Sequence, residues 1–398
     1  MDLCACSSKY SDTQHRFEVF VEDGVRIACT TGGPKYTDDL FRYEVLIQLQ
    51  ADSSISESFL NRPISFIESL SGNYLVCDEG DRRIAVYSPS GEYVKSFGRP
   101  GHGPGEFQSI SLLDIIDGVL VMYDRSQRRT TLFSEYGELI GVYRVLIGGS
   151  IDAMYPLSDH RQLSLQGLMD LRGEEVWRAM KALVMASSLD TIAYFETPYI
   201  HCRMSLRRNL NISYSVYFSA FPCIGYAPPL GVYSYDPTHP ELRWFNTEGQ
   251  PVRIFRFDLP RIPPSQADIA LIEASWEERA RGPEGEAARL VRNNLVFADF
   301  VPYWSTVVVD DHCFCWLSKY EPQATKERLG GTAFRVVSPD GEYLGDTRWP
   351  MISFESNSAL GIHIANGKLM VINPLETEST MPTVYSIIPV ATGLNYPY

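Results

Sequence analysis

The sequence predicts an all-β fold, a six-bladed β-propeller whose blades are four-stranded antiparallel sheets. Three observations support this prediction. A unit of about 45 residues, the size of one propeller blade, recurs along the chain. Each unit contains short apolar runs that alternate with polar residues and end at turn residues. Aromatic residues make up 12% of the 398 residues, including 23 Tyr, and aromatic side chains fit the pleated surface of a sheet.

The recurring unit is defined by an Asp and a Gly that lies 13 positions after it. The pairs are Asp78 and Gly91, Asp124 and Gly137, and Asp236 and Gly249. A partial copy at 334–341 keeps the Gly turn. A short apolar run ends at the Asp, a polar bend follows, and an alternating run leads to the Gly. This order predicts half-buried antiparallel strands, and a further run with its own turn precedes each unit.

The strand and turn pattern divides most of the chain into six blades. One of them, at 153–195, is degenerate because it lacks the spacing between Asp and Gly. The predicted blades cover 64–98, 110–145, 153–195, 217–257, 304–347 and 359–389. Two strand-like segments near the N-terminus, 17–27 and 43–49, are expected to add outer strands to the final blade. Both chain ends would then close the ring and leave only short edges.

A partly helical insertion, 258–303, is expected between the fourth and fifth blades. Ser265 suits the N-cap of a helix at 267–281, and a second short helix is expected at 284–293. We expect this insertion to lie over one end of the ring, where it contributes to the loop-rich face.

The N-terminal tail, 1–16, precedes a single propeller domain at 17–398. The tail lacks the basic and apolar regions of a signal peptide. The segment Leu3-Cys4-Ala5-Cys6 is nevertheless similar to the end of a bacterial lipoprotein signal, with Cys6 as the lipidated residue. That interpretation predicts a location in the bacterial envelope or periplasm, with the lipid anchor as the only membrane contact. The alternative is a tail with two chance cysteines on a cytoplasmic protein.

Charge narrows the range of partners. The chain has 35 basic and 49 acidic residues, a formal net charge of −14. Such a surface repels phosphate backbones, so we expect no nucleic-acid partner.

Residues 72–107 resemble an NHL repeat. The resemblance rests on Gly72-Asn-Tyr-Leu-Val-Cys-Asp78, Arg83-Ile84, Tyr87, Gly91 and the linker-like Gly101-His-Gly-Pro-Gly-Glu-Phe107. The nearest similarity is to bacterial six-bladed, TolB-like propellers, and it is detailed over 72–145. It implies a six-bladed ring and often an exported lipoprotein. It implies little about activity, because propellers host unrelated functions.

Two arginines, Arg83 and Arg129, occupy equivalent positions in the first two blades. Their guanidinium groups are candidates to bind an anion or a carboxylate. The alternative is that each bonds the Asp of its own blade, Asp78 or Asp124, and stiffens the bend. The recurrence of the spacing with the repeat favours this alternative.

Further ligand-binding candidates are expected on the loop-rich face. His102, in a Gly-rich linker, is either a ligand or acid/base group or a plain exposed loop residue. Tyr303, Trp304 and Tyr320 suit stacking on a sugar ring or a peptide, or packing between blades. The segment 312–315, His-Cys-Phe-Cys, lacks a second ligand pair, which argues against a zinc site there.

Two functions of different classes fit these observations. We favour a non-enzymatic binding scaffold that presents the loop-rich face to a protein, peptide or glycan, and it needs no cofactor. No catalytic motif is present. The alternative is a metal-dependent lactonase or lyase with a cation such as calcium in the central channel. Its ligands would come from Asp78, Asp124, Asp236 and Asn373.

Overall fold

The computed structural model describes most of the chain. The described residues are 14–116, 118–144, 150–156, 162–172, 175–185, 191–206, 210–215, 217–218, 223–227, 230–235, 239–283, 285–322, 331–350, 361–372 and 381–397. Cys6, Asp236 and Asn373 lie outside them.

These residues form an all-β structure with two α-helices. The strands of the first part of the chain are β1 (Arg16–Glu22), β2 (Val25–Thr31), β3 (Phe41–Gln48), β4 (Pro63–Glu68), β5 (Tyr74–Asp78), β6 (Arg83–Tyr87), β7 (Tyr93–Phe97), β8 (Arg99–Pro100), β9 (Glu106–Phe107), β10 (Ile110–Ile116), β11 (Val119–Asp124), β12 (Arg129–Phe133) and β13 (Leu139–Arg144). The middle strands are β14 (Ser150–Pro156), β15 (Gln162–Arg172), β16 (Glu175–Met185), β17 (Thr191–Leu206), β18 (Leu210–Ser215), β19 (Cys223–Ala227), β20 (Gly231–Tyr235), β21 (Glu241–Phe245) and β22 (Pro251–Phe257). The helices α1 (Gln266–Arg281) and α2 (Gly285–Arg292) follow, and the last strands are β23 (Val307–Val309), β24 (Cys315–Ser318), β25 (Thr332–Val337), β26 (Tyr343–Trp349), β27 (Ile362–Ala365), β28 (Lys368–Val371) and β29 (Thr383–Pro389).

Apart from the short β8–β9 pair, the described strands group into sheets of four to six strands. In chain order, we name them sheet one (β4–β7), sheet two (β10–β13), sheet three (β14–β18), sheet four (β19–β22 with β2 and β1 outside), sheet five (β23–β26) and sheet six (β27–β29 with β3 outside). Within sheets one, two, three and five, and within β19–β22 and β27–β29, successive strands are neighbours and antiparallel. This is the meander expected of propeller blades.

The apolar core lies between consecutive sheets. Sheets one and two share a cluster with Leu75 and Phe133. Similar clusters join sheets two, three and four, then four and five, then five and six. A last cluster, with Tyr74 and Met370, joins sheet six back to sheet one. The sheets therefore close into a ring, in agreement with the predicted propeller class.

The middle strands differ from the expected half-buried pattern. All five residues of β5 and all five of β6 are buried, as are those of β12. Each sheet is packed between two neighbours, so both of its faces are covered in the middle strands. The outer strand β7 is more open, with Val94 and Lys95 exposed.

The N-terminal strands correct one prediction. β3 pairs with β29 in sheet six, as expected for the 43–49 segment. The hairpin of β1 and β2 instead joins sheet four, where β2 runs parallel to β22 with Ala28 opposite Phe255. Between the two, backbone N–H groups of Lys35 and Tyr36 donate to the carbonyl oxygens of β26 in sheet five. Periodicity predicts that a segment is a strand, but not which sheet edge accepts it.

The helical insertion follows sheet four. Ser265 caps α1, and its hydroxyl accepts a hydrogen bond from the backbone N–H of Asp268 at 3.0 Å. Most side chains of α1 are exposed, with only Asp268 and Ala280 buried. Helix α2 packs on α1 and buries Ala288 and Val291. Among the described residues, no helix is both long and apolar enough to cross a membrane.

Candidate functional site

One side of the ring carries the linkers between sheets and the bends between second and third strands. We call this side the loop face. In sheet two, the bend and the incoming linker are in direct contact. The side-chain amide of Gln127 donates to the carbonyl oxygens of Gly101 and Glu106, each at 3.1 Å. Hydrogen bonds therefore hold the bend and the linker of sheet two together on the loop face.

In sheet one, a buried carboxylate organises the bend. Asp78 accepts hydrogen bonds from the backbone N–H groups of Asn61 and Arg62, the latter at 2.9 Å, and from Arg83 Nη2 at 3.3 Å. Arg83 also donates to the carbonyl oxygens of Glu57 and Phe59, each at 2.6 Å. The guanidinium thus links the bend to the preceding linker.

Sheet two repeats this plan with different donors. Asp124 accepts from the backbone N–H of Gln108 at 2.6 Å and from Gln127 Nε2 at 2.8 Å. Arg129 donates to the carbonyl oxygens of His102 at 3.0 Å and Gly103 at 2.7 Å. Arg83 and Arg129 are 7% and 1% exposed, so the stiffening role describes them better than ligand binding.

Two of the candidate metal ligands lie in these bends. Asp78 and Asp124 are fully buried and accept hydrogen bonds at the loop face. Both carboxylates therefore hold the loops in place through these hydrogen bonds. Among the described residues, no group of three His, Cys, Asp or Glu side chains is arranged to hold a metal ion.

The turn of sheet five separates the cysteines at 313 and 315. Cys313 has a φ of 65° and lies in the hairpin turn, not in the strand. Cys315 begins β24 and is buried. The two thiols therefore do not share a strand face, and burial raises the pKa of both.

The aromatic candidates separate into core and surface residues. Trp304 is 1% exposed and packs against Tyr235 and Phe257, so it belongs to the core between sheets four and five. Tyr303 is half-buried beside it, and its carbonyl oxygen accepts a hydrogen bond from Arg335 at 2.6 Å. Tyr320, by contrast, lies at the rim of sheet five and lines a cleft.

This cleft, which we call the helix–rim cleft, lies between α1 and the rim of sheet five. Its volume is about 470 Å³, which is within the range of small-molecule sites. It is lined by Tyr217, Phe218, Asp268, Leu271, Ile272, Ser275, Trp276, Arg279, Tyr320 and Glu321. Aromatic rings and charged groups therefore share one concave surface.

Tyr320 fixes the first turn of α1 at one end of the cleft. Its hydroxyl donates to Asp268 Oδ2 at 2.5 Å and accepts from the backbone N–H of Ser265 at 3.3 Å. Burial and the hydrogen bond to Asp268 raise the pKa of Tyr320 to about 12. At neutral pH the phenol keeps its proton, so this pair serves to position groups rather than to supply a phenolate.

Trp276 forms the helical wall of the cleft. Its indole N–H donates to the hydroxyl of Tyr217 at 2.5 Å. The Arg279 guanidinium lies 4.9 Å from the Trp276 ring centroid, a cation–π distance. The indole is thus fixed in orientation, and a cation lies at the cleft edge.

Glu321 supplies a carboxylate with spare bonding capacity. Its Oε1 accepts from Arg348 Nη2 at 2.5 Å. Its Oε2 is buried and has no hydrogen-bond partner among the described residues. A buried acceptor without a donor costs roughly 1–3 kcal/mol.

Phe218 adds a strained backbone to the opposite wall. Its φ is 58°, a region that bulky L-residues rarely adopt. Strain of this kind costs about 1–3 kcal/mol and concentrates at functional sites. The ring of Phe218 packs edge-on against Tyr320, with centroids 6.1 Å apart.

His102 lines a second, smaller cleft of about 390 Å³ with Gln108, Ser126 and Gln127. The Gln108 and Gln127 amides in it are already used to hold the Gly-rich linker. This cleft therefore offers fewer free groups than the helix–rim cleft.

Sequence reasoning identified Tyr320 but missed Phe218, Arg279 and Glu321 as cleft residues. Trp276, within the expected helix at 267–281, was missed as well. The available signal was an aromatic residue on an inserted helix that has little apolar surface of its own. Such a ring is exposed unless the helix docks onto another part of the chain.

One family model agrees with the predicted propeller class. A family model described as DUF5128, a 6-bladed beta-propeller, matches residues 34–145. No curated protein matches the chain. A protein from Bacteroides fragilis is similar over 92% of this chain and 99% of its own, with 12% identity and a TM-score of 0.49. Virginiamycin B lyase from Staphylococcus aureus is similar over 88% and 100%, with 9% identity and a TM-score of 0.41. The calcium-binding protein regucalcin from Agrobacterium tumefaciens is similar over 89% and 97%, with 13% identity and a TM-score of 0.33.

Proposed function

We propose that this chain is a six-bladed, NHL-like propeller that binds a hydroxylated ring, such as one sugar unit of a glycan, in the helix–rim cleft. The proposed role is non-enzymatic recognition. The observation that carries it is the combination, in one cleft of about 470 Å³, of aromatic rings with the charged side chains of Arg279 and Glu321.

A sugar fits both features. The C–H faces of a sugar ring are apolar and stack on aromatic side chains, here Trp276 and Phe218. Its hydroxyls donate to carboxylates and accept from cations, here Glu321 and Arg279. Carboxylate hydrogen bonds are among the stronger ones in proteins. The acidic surface of the protein does not oppose a neutral ligand, whereas it would oppose a polyanion.

The test is titration of the full chain with neutral disaccharides (maltose, cellobiose and lactose) and with tripeptides as a second class. Intrinsic Trp fluorescence and isothermal titration calorimetry would report binding. We expect at least one disaccharide to bind. Trp276→Ala should weaken that binding by about tenfold or more, because a stacking contact is worth roughly 1 kcal/mol beyond its buried area.

Two variants sharpen the result. Glu321→Gln keeps the side-chain volume but weakens the charge-assisted bond, so it should also reduce affinity. Leu70→Ala removes an exposed apolar side chain from the opposite end of the ring and should leave affinity unchanged. If only tripeptides bind, the ligand class is not a sugar, but the cleft remains the proposed binding site. Binding that is unaffected by Trp276→Ala would contradict the cleft itself.

We also propose that Cys6 is lipidated and that the protein is exported. This proposal is supported by the similarity of residues 3–6 to a lipoprotein signal. Metabolic labelling with a palmitate analogue, comparing the wild type with Cys6→Ser, would test it.

A further inference from the structure

The outermost strand of sheet four, β1, is a regular strand edge, and among the described outermost strands only β18 of sheet three is also free of register shifts. It pairs with β2 over seven consecutive residues with no irregularity. Four other outermost strands, β7, β13, β26 and β3, each have a register shift against their inner neighbour. Bulges, Pro and charged side chains are the usual protections of a sheet edge. β1 has no bulge and no Pro, and its charged residues are Arg16, Glu18 and Glu22.

The surface of β1 is apolar as well as regular. Val19, Phe20 and Val21 are 45%, 44% and 70% exposed. Because neighbouring residues point to opposite faces of a sheet, both faces of the strand carry exposed apolar side chains. A regular and apolar edge of this kind favours the addition of another strand.

The hairpin turn determines which backbone groups face outward. Asp23 and Gly24 form the two-residue turn, with φ values of 49° and 81°, as in a type I′ turn. The residues that flank such a turn, Glu22 and Val25, bond to each other, and bonding then alternates along the strand. The N–H and C=O groups of Phe17, Val19 and Val21 therefore point away from β2.

The sequence of β1, Arg-Phe-Glu-Val-Phe-Val-Glu, is self-complementary in antiparallel orientation. If two copies pair with Val19 opposite Val19, Arg16 of each strand lies opposite Glu22 of the other. In the same register, Phe17 lies opposite Val21. All three outward-facing residues then form hydrogen-bonded pairs, and both charged pairs are attractive.

The start of β1 is held in place by the rest of the fold. The His15 imidazole contacts the carbonyl oxygen of Gly33 and Glu342 Oε1, each at 3.0 Å. In β2, Arg26 donates to the backbone oxygen of Asp340 at 2.9 Å. A strand that is already ordered loses little entropy when it pairs.

We propose that β1 is a dimerisation edge, on which a second copy of this chain adds its own β1 in antiparallel orientation around a two-fold axis through Val19. The interface is isologous, so it closes after two copies. This inference is independent of the ligand proposed for the helix–rim cleft.

The experiment is sedimentation velocity of the full chain across a concentration series, with reductant present so that Cys4 and Cys6 cannot link copies. We expect a concentration-dependent dimer. Val19→Pro removes an outward N–H without breaking the bond ladder to β2 and should abolish the dimer. Circular dichroism and thermal melting of this variant would show that the monomer is folded.

A charge exchange tests the register. Arg16→Glu and Glu22→Arg, each alone, place like charges opposite each other and should raise the dimer dissociation constant roughly tenfold or more. The double variant restores both attractive pairs and should restore the dimer. A monomer at all concentrations overturns the proposal. So does a dimer, or a larger polymer, that is insensitive to Val19→Pro and to the single exchanges.

Discussion

At the scale of single residues, Asp310 connects two distant parts of the chain through one buried carboxyl. Its Oδ1 accepts from the backbone N–H of Phe314 at 2.8 Å. Its Oδ2 accepts from the Trp316 indole at 3.0 Å and from the Tyr396 hydroxyl at 2.9 Å. A turn residue of sheet five therefore holds the C-terminal segment of the chain.

This carboxyl predicts a pH dependence of stability. Burial raises the pKa of Asp310 to about 6, although its hydrogen bonds oppose the shift. In the unfolded chain, the pKa of an Asp carboxyl has its ordinary value of about 4. Between these two pH values the folded state holds a proton that the unfolded state lacks, so the contribution of Asp310 to stability falls as pH rises through this window.

The comparison is between the wild type and Asp310→Asn in urea unfolding at pH 4.5 and pH 7.5. The free energy of unfolding of the wild type, minus that of the variant, should be larger at pH 4.5, by on the order of 2 kcal/mol. A difference that is equal at the two pH values, or larger at pH 7.5, would contradict this assignment. Asp340→Asn, an exposed carboxyl in the same sheet, is the control.

At the scale of elements, the turn before the outer strand of each repeat is the clearest shared feature. Gly91, Gly137, Gly249 and Gly341 have φ values of 85°, 83°, 81° and 96°. The sequence repeat located all four, because only Gly adopts this conformation without strain. The polar bend is equally regular, with Arg82 and Arg128 at φ values of 57° and 50°.

Substitution of Gly137 tests how strongly this turn requires glycine. An added Cβ there would lie 2.7 Å from the Phe97 ring, in addition to the cost of the positive φ. At Gly24, with a φ of 81°, an added Cβ meets nothing within 4 Å. We expect Gly24→Ala to lower the free energy of unfolding by about 1 kcal/mol and Gly137→Ala by about 3 kcal/mol. Equal losses in urea unfolding would mean that Phe97 moves aside without cost.

At the scale of the whole molecule, the ring is closed by strands from both ends of the chain. β3 pairs with β29, and Pro389 lies opposite Phe41. Phe41 is buried, and its ring centroid lies 5.2 Å from that of Trp316 and 4.9 Å from that of Tyr396. β3, from the N-terminal part of the chain, therefore contributes to the core between sheets five and six.

Phe41→Ala should lower the free energy of unfolding by about 3–5 kcal/mol, because it opens a cavity where the ring closes. Val45→Ala, on the same strand but exposed, should change it by less than about 0.5 kcal/mol. Far-UV circular dichroism and Trp fluorescence would follow urea unfolding. Similar losses for the two variants would show that β3 is not part of the cooperative core.

The sequence by itself determined the propeller class, the repeat, its glycine turns and the strand character of the N-terminal segments. These are local properties, because turn residues and period-2 alternation act within a few neighbouring residues. It also determined the inserted helix, since a cap and helical spacing lie within one segment.

Only the tertiary structure decided which sheet edge accepts β1 and β2, and which polar side chains are buried. Arg83, Arg129 and Trp304 are ligand-binding candidates in the sequence, yet all three side chains are buried in the fold. The helix–rim cleft brings together residues from 217 to 321 that no local pattern relates. Their meeting depends on how α1 docks on the rim of sheet five, through long-range contacts such as Tyr320 to Asp268. The energy of such contacts exists only in the folded chain.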